Sequence, residues 1–373
     1  MTEICPLVFE PIFREKVWGG RNLARLLDKT LPPEVAIGES WDCADLENGQ
    51  SVVARGPATG LTLHQLMEEW GEGLLGRVKP VDGRFPLLIK FLDACENLSV
   101  QVHPGEPTGQ NAGGHGAIKH EAWHILWAEP SGCIYRGFRP GVDVGELRDV
   151  KRENPAMILD FLQRIPVRAG QTYFLPGGTP HAIGAGVVLA EVQTPSDVTY
   201  RLYDWDRKRP ASDSGLHVEE GLASIRDDVD FSAFEKRTHV TSLFATITRL
   251  VKSPSFNMEK VRFIGELEQE IPYVDMVCWI VLDGRGEISY GGGDRLGFAK
   301  GDVVIVPAGL RNGRVLTLTD CTWLEVSVPV DAEFSRNPLR EAGVGPTFVE
   351  DKAKGLVPLN ISIGRGSEEN RDE

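Results

Sequence analysis

The chain has 373 residues, of which 41% are hydrophobic and 25% charged, and its formal net charge at pH 7 is -14. This is an ordinary composition for a soluble protein of about two domains, and its acidity excludes nucleic acid as the main partner, though a local basic pocket could still take a small anion. No apolar run is long enough for a signal peptide or a membrane helix, and the six cysteines have no Cys-x-x-Cys spacing, so the expectation is a cytoplasmic protein with reduced thiols and no membrane partner.

In chain order, residues 1–60 alternate short apolar runs with turns. Leu23 to Leu27 reads as a short helix and Gly38 to Trp41 as the start of a strand. Leu61 to Leu75 has helical spacing, with Leu63, Leu66, Met67 and Trp70 on one face, which is the pattern of plain core packing. Phe85 to Leu92 is an apolar strand interrupted only by Lys90. In the next strand Ser99, Gln101 and His103 share a face, because successive strand residues point to opposite sides. A Gly-rich loop over 104–117 follows, longer than loops without a function usually are. Lys119 to Leu126 resumes as a strand, with Lys119, Glu121, Trp123 and Ile125 on one face. Residues 143–163 read as two short helices broken near Pro155, forming a helical insertion over about 141–165.

Gly170 to His181 reads as a strand, a Pro176-Gly177-Gly178 turn and a histidine opening the next strand, Ala182 to Val188. After Asp228 the pattern is β only. Gly301 to Gly309 repeats the Gly-x5-Pro-x-Gly frame of Gly170 to Gly178, with Asn312 at the place of His181. No histidine follows His239, so the repeated segment is expected to bind no metal. The expected architecture is mainly β. Residues 1–235 would form a catalytic domain and 236–363 a second, metal-free domain, followed by a charged, disordered tail over 364–373.

A divalent transition metal needs a few nitrogen and oxygen ligands converging from different strands, with a position left for substrate. Gln101, His103, Glu121 and His181 would supply two of each. Zinc is the first expectation, and manganese, cobalt or iron would fit the same set. Taken singly, His103 could cap a strand and Glu121 could be an edge charge. His115, His120 and His124 compete as ligands, but the last two face away from Glu121 on a strand, and all three are expected to be non-catalytic. Glu191 and Gln193 share a face. Arg201 is either an oxyanion-stabilising guanidinium or the partner of Asp197, Asp204 or Asp206. Arg207, Lys208 and Arg209 are a basic run, solvated or facing a phosphate.

The frame from Gly170 to His181 resembles the second conserved motif of cupins, jelly-roll barrels whose motif histidine binds a metal. Five motifs in order go further. They are Ser99-Val100-Gln101-Val102-His103-Pro104, Lys119-His120-Glu121-Ala122-Trp123, the run from Gly178 to Gly186, Glu191-Val192-Gln193, and the run from Ser196 to Asp204. Together they resemble the short bacterial form of the type I phosphomannose isomerases over nearly the whole chain, from Pro6 to about Ile363. The resemblance implies two cupin-type jelly-roll barrels with a small helical insertion in the first, and one Zn2+ per chain held by Gln101, His103, Glu121 and His181. It places Arg201, Glu191 and Lys119 as catalytic residues, with Ser99 and, on weaker similarity, Arg207 at the substrate phosphate. It implies interconversion of mannose 6-phosphate and fructose 6-phosphate through a cis-enediolate, by a monomer or weak homodimer. The chain departs from the family at Gly105-Glu106 and at Ile118-Lys119-His120, which leaves the shape of the substrate entrance open.

Overall fold

A computed structural model describes residues 2–105, 118–142, 144–149, 154–208, 215–226, 237–330 and 361–362. It is mainly β, as the sequence pattern predicts. Packing divides the chain into two compact units, one of Pro11–Ser51 with Pro80–Lys236, the other of Met1–Glu10, Val52–Lys79 and Arg237–Glu373. The sequence pattern placed a single boundary near 235; the packing instead joins two N-terminal pieces to the C-terminal strands. The reason is backbone pairing. The Leu7–Val8 strand pairs with Val303–Val306, Phe9 bridges to Val53, and Ala308 N–H donates to the Leu74 carbonyl. The Arg77 guanidinium grips Asp275. Among the described residues no helix is long and apolar enough to cross a membrane.

The unit containing the candidate ligands has two large antiparallel sheets and a small hairpin, Asp45–Leu46 with Gly49–Gln50. Six strands lie in the order Thr172–Leu175, Glu121–Ala128, Val187–Gln193, Leu88–Ala94, Ile37–Cys43, Ile12–Gly20. Five lie in the order Leu162–Pro166, Cys133–Phe138, His181–Ile183, Val100–Val102, Tyr200–Tyr203. One buried cluster joins Leu92, Trp123, Ile125 and Leu189 of the first sheet to Ile134 and Ile183 of the second, so the two sheets face each other across a core. A second cluster puts Leu147, Ile158 and Val218 on Val100, Val102, Ala182 and Leu202, so short helical segments cover the outer face of the five-stranded sheet.

Two expectations change here. The 143–163 helical stretch is two short 3-10 segments, Val144–Asp149 and Pro155–Asp160, and Leu162–Pro166 is an edge strand paired with Cys133–Phe138. The strand expected over Ala182–Val188 is broken: His181–Ile183 belongs to one sheet and Val187–Gln193 to the other. Gly186, at a φ of 75° that favours glycine, sits at the crossing.

The second unit repeats this plan with a seven-stranded and a five-stranded sheet. Trp279 and Trp323 of the larger sheet stack at 4.8 Å, and Phe298 of the smaller one meets Trp279 edge-on at 6.0 Å. The expected helix over 61–75 lies in this unit as Leu63–Trp70 and Glu72–Leu75, with a Thr62–Gln65 capping box, and Gly71 separates the two. The repeated turn can be matched by strand register. Leu175, Glu121, Gln193 and Leu88 form one cross-strand row; Val306, Val277, Ser327 and Asn257 form the corresponding one. Val277 therefore stands where the first unit has Glu121. The next row, Trp123, Glu191, Lys90 and Trp41, corresponds to Trp279, Glu325, Glu259 and Arg249.

That second row carries a pH prediction. Glu325 accepts from Tyr273 Oη and sits across from Glu259, which Arg249 holds at 3.1 Å. Burial, reinforced by the Glu259 charge, pushes the Glu325 carboxyl up to about 7 from an ordinary 4.5. The folded state thus binds a proton that the unfolded chain releases, so this contribution to stability is full below pH 4.5 and is lost as pH rises through about 7. Urea midpoints of Glu325→Gln should vary less between pH 5 and 8 than those of the unsubstituted protein. The difference in unfolding free energy between the two proteins should change by of the order of 2 kcal/mol over that range. Parallel pH profiles for the two proteins would refute the assignment.

Candidate metal centre

The centre is built by one turn and two sheets. Pro176 ends its strand, and Gly178, at a φ of 86°, turns the chain so that its N–H donates to the His103 carbonyl at 2.8 Å. A Cβ on Gly177 would collide with the Pro104 carbonyl oxygen. The two glycines thus let the turn lie directly on the His103-Pro104 backbone, and the rings of His103 and His181 come within 4.7 Å. Glu121, the first residue of its strand, is fixed between Leu175 and Gln193 by ladder pairing. His103 Nε2 is 3.0 Å from Glu121 Oε1, and His181 Nε2 is 3.5 Å from Glu121 Oε2. Among the described residues these three form a group whose ligand atoms all lie within 4.8 Å of one another. Gln101 is the register partner of His181 on one side and of Arg201 on the other, so all three project from one face.

This donor set fits a divalent cation. His103 Nε2, His181 Nε2 and Glu121 Oε2 are buried with no hydrogen-bond partner, which is costly for polar atoms with nothing to bind. The ring contact of His181 Nδ1 with the Thr179 carbonyl, at 2.8 Å, makes Nδ1 the protonated nitrogen and leaves the Nε2 lone pair facing the group. Burial, helped by the Lys119 charge, lowers His103 to about 3, and burial also lowers His181. Both imidazoles are neutral at pH 7, as metal ligation requires. Burial alone would raise the Glu121 carboxyl, yet it is held well below the usual range. With the imidazoles neutral, the cation responsible is Lys119, whose Nζ is 3.0 Å from Glu121 Oε1.

Beside the ligands lies a second charged row. Glu191 Oε2 is 3.2 Å from Lys90 Nζ, and Glu191 Oε1 accepts from Trp123 Nε1 at 2.9 Å. Lys90 also donates to Gln193 Oε1 at 2.6 Å. Burial would push the Lys90 ammonium down, but Glu191, Glu39 and Glu121 hold it above its ordinary value. Burial and the Glu121 charge raise Glu191. In the sequence pattern Lys90 stands only as an interruption of an apolar strand. A lone lysine inside a buried strand implies a carboxylate partner, and this was the available signal.

The structure brings together His103, Glu121, His181 and Lys119, and by register sets Gln101 and Arg201 beside His181. Ser99 is buried two residues from Gln101. The Arg207 guanidinium is hydrogen-bonded to Asp204 and lies 3.9 Å from Glu96. His120 Nδ1 accepts from Gly177 N–H at 2.9 Å, and His124 Nδ1 meets Thr172 Oγ1 at 2.8 Å, so both hold the strand and turn that carry the ligands. His115, most of the Gly-rich loop and the charged tail fall outside the described residues.

Residues 7–120 match the family described as phosphomannose isomerase type I, catalytic domain. The chain is 34% identical over 330 residues to the mannose-6-phosphate isomerase ManA of Bacillus subtilis (strain 168), covering 85% of this chain and 97% of that one. It is 34% identical over 313 residues to the mannose-6-phosphate isomerase of Streptococcus mutans, covering 82% and 94%. The crystal structure of the mannose 6-phosphate isomerase from Bacillus subtilis is similar at a TM-score of 0.76 and 29% identity, over 87% of this chain and 99% of that one.

Proposed function

This chain belongs to the mannose-6-phosphate isomerase family, and we propose that it interconverts mannose 6-phosphate and fructose 6-phosphate in the cytoplasm, through a cis-enediolate, with one zinc ion held by Gln101, His103, Glu121 and His181. Both units are read as cupin-type jelly rolls, the first of them catalytic. The observation that carries the proposal is the buried His103, Glu121 and His181 group, with its unpartnered ligand atoms, in the same unit as the Lys90–Glu191 pair.

When bound, the ion supplies Lewis acidity that makes the C–H beside the substrate carbonyl more acidic. The protein must then move one proton between C2 and C1. Glu191 is the proposed base. Its raised affinity for a proton suits a group that takes one up and returns it. Lys90 and Trp123 each hold one of its oxygens. Arg201, in register with Gln101, is the proposed stabiliser of the charge that develops on the enediolate oxygens. Lys119, 3.0 Å from Glu121, is the proposed carrier of a proton between those oxygens. Ser99 is the proposed phosphate contact; Arg207 would have to exchange Asp204 for the phosphate to share that role.

A coupled assay of mannose 6-phosphate isomerisation tests the proposal. Unphosphorylated mannose should turn over far less efficiently, because the remote phosphate contributes binding energy used at the reacting carbons. Equal efficiency for the two sugars would remove the phosphate site, and activity confined to another sugar phosphate would replace the substrate. Arg201→Lys keeps the charge but loses the planar fork. It should cost roughly a hundredfold in kcat, as loss of an oxyanion donor does, with metal content and melting temperature nearly unchanged. A near-normal kcat would return Arg201 to a structural ion pair.

A further inference from the structure

Trp123 touches both halves of the site. It is fully buried, its Nε1–H donates to Glu191 Oε1 at 2.9 Å, and its ring meets the His181 imidazole edge-on, with centroids 5.3 Å apart and planes at 78°. It also lies two residues from Glu121 on the same face of the strand, and ladder pairing sets it directly across from Glu191. A tryptophan here could be mere core filling, and the repeat within the chain provides the comparison. Trp279 holds the same place in the second unit, also buried, also paired across from a glutamate, Glu325. Its indole N–H goes elsewhere, to Tyr273 Oη at 3.2 Å, and Tyr273 in turn serves the glutamate. That unit has Val277 at the Glu121 position and Glu259 at the Lys90 position. The second unit's glutamate also meets an indole N–H, that of Trp323 at 3.5 Å, so what sets Trp123 apart is the shorter 2.9 Å bond from the residue directly across, combined with its edge-on contact to His181.

We propose that Trp123 is a positioning residue for the isomerisation: its indole N–H fixes the Glu191 carboxylate in the orientation needed to reach the substrate C–H, while its ring steadies the His181 imidazole. The two tasks use different parts of one side chain, so they can be separated. The inference rests on Glu191 acting as the base.

Trp123→Phe keeps a ring against His181 and removes only the donor. Its kcat for mannose 6-phosphate should fall about tenfold, the scale of one lost orienting hydrogen bond, with KM and bound metal per chain unchanged. Trp279→Phe is the matched control and should cost stability while leaving kcat alone. In a Glu191→Gln background, Trp123→Phe should cause no further loss of kcat, because the two side chains act as a unit. An unchanged kcat in Trp123→Phe, a loss that tracks metal content, or a full further loss in the Glu191→Gln background would each overturn the proposal. If Trp123→Phe folds poorly, a benzothienyl side chain placed at 123, isosteric with indole but lacking the N–H, should give the same tenfold fall; normal kcat there would count against it equally. Failure of the underlying reading looks different: Glu191→Gln itself would then retain its turnover.

Discussion

Exhaustive chelation should bring isomerase turnover to background, and one equivalent of zinc or another suitable divalent ion per chain should restore it. Two neutral imidazoles and a carboxylate with ligand atoms buried within 4.8 Å of each other, four of their polar atoms unpartnered, form a costly arrangement unless a cation joins them. Binding should therefore also stabilise the fold. At a free ion concentration a hundred times Kd the gain is about 2.7 kcal/mol, so the stripped protein should melt measurably earlier. The stoichiometry follows from the repeat. Register puts Val277 at the Glu121 position, and the turn frame puts Asn312 at that of His181, so the second unit lacks two of the four donors. His181→Ala should lose the metal and the activity together. Full activity in protein shown to be metal-free would end the metal-dependent reading. Two tight equivalents per chain, one of them surviving His181→Ala, would show that the repeat was misread.

The grouping of His103, Glu121 and His181 was legible in the sequence from local rules together with the family's motifs, and Gln101 remains a proposed fourth donor. Strand alternation sets Gln101 with His103, and the turn from Pro176 to Gly178 delivers His181 to the edge of the next strand. What could not be read is what depends on register between distant strands. Lys90 and Glu191 become neighbours only because Val187–Gln193 pairs with Leu88–Ala94 residue by residue. The same holds for the unit boundaries: a two-residue strand, Leu7–Val8, has almost no periodicity of its own, and its partner lies near residue 304. Local propensity misled at Leu162–Pro166, where a mixed polar and apolar run continues a helical pattern but takes the open edge of a sheet. The resemblance puts Arg207 at the phosphate, and an ion pair with Asp204, three residues earlier, is a neighbour that the basic run itself does not announce.

Lys90→Met should be among the most destabilising single substitutions in this chain. Its ammonium is buried among Glu191, Gln193 and Glu39, all carried by strands of one sheet. Methionine matches the stem in length and apolar character, so packing is nearly conserved and what disappears is the charge. Glu191 is then a buried carboxylate whose counter-charge is gone, and Gln193 Oε1 loses its donor. Removing one partner of a buried pair costs about 3–5 kcal/mol, because the other charge is left uncompensated. The urea midpoint should fall by the matching amount with little change in slope. Glu191 can escape only by binding a proton, and a protonated Glu191 cannot serve as the base, so kcat should fall as well. Replacing both, Lys90→Met with Glu191→Gln, removes the uncompensated charge and should recover a large part of the lost stability but none of the activity. A cost below about 1 kcal/mol for Lys90→Met would place this pair with exposed ion pairs. The charged row beside the ligands would then be solvated and mobile, and the orientation it gives Glu191 would have to come from Trp123 alone.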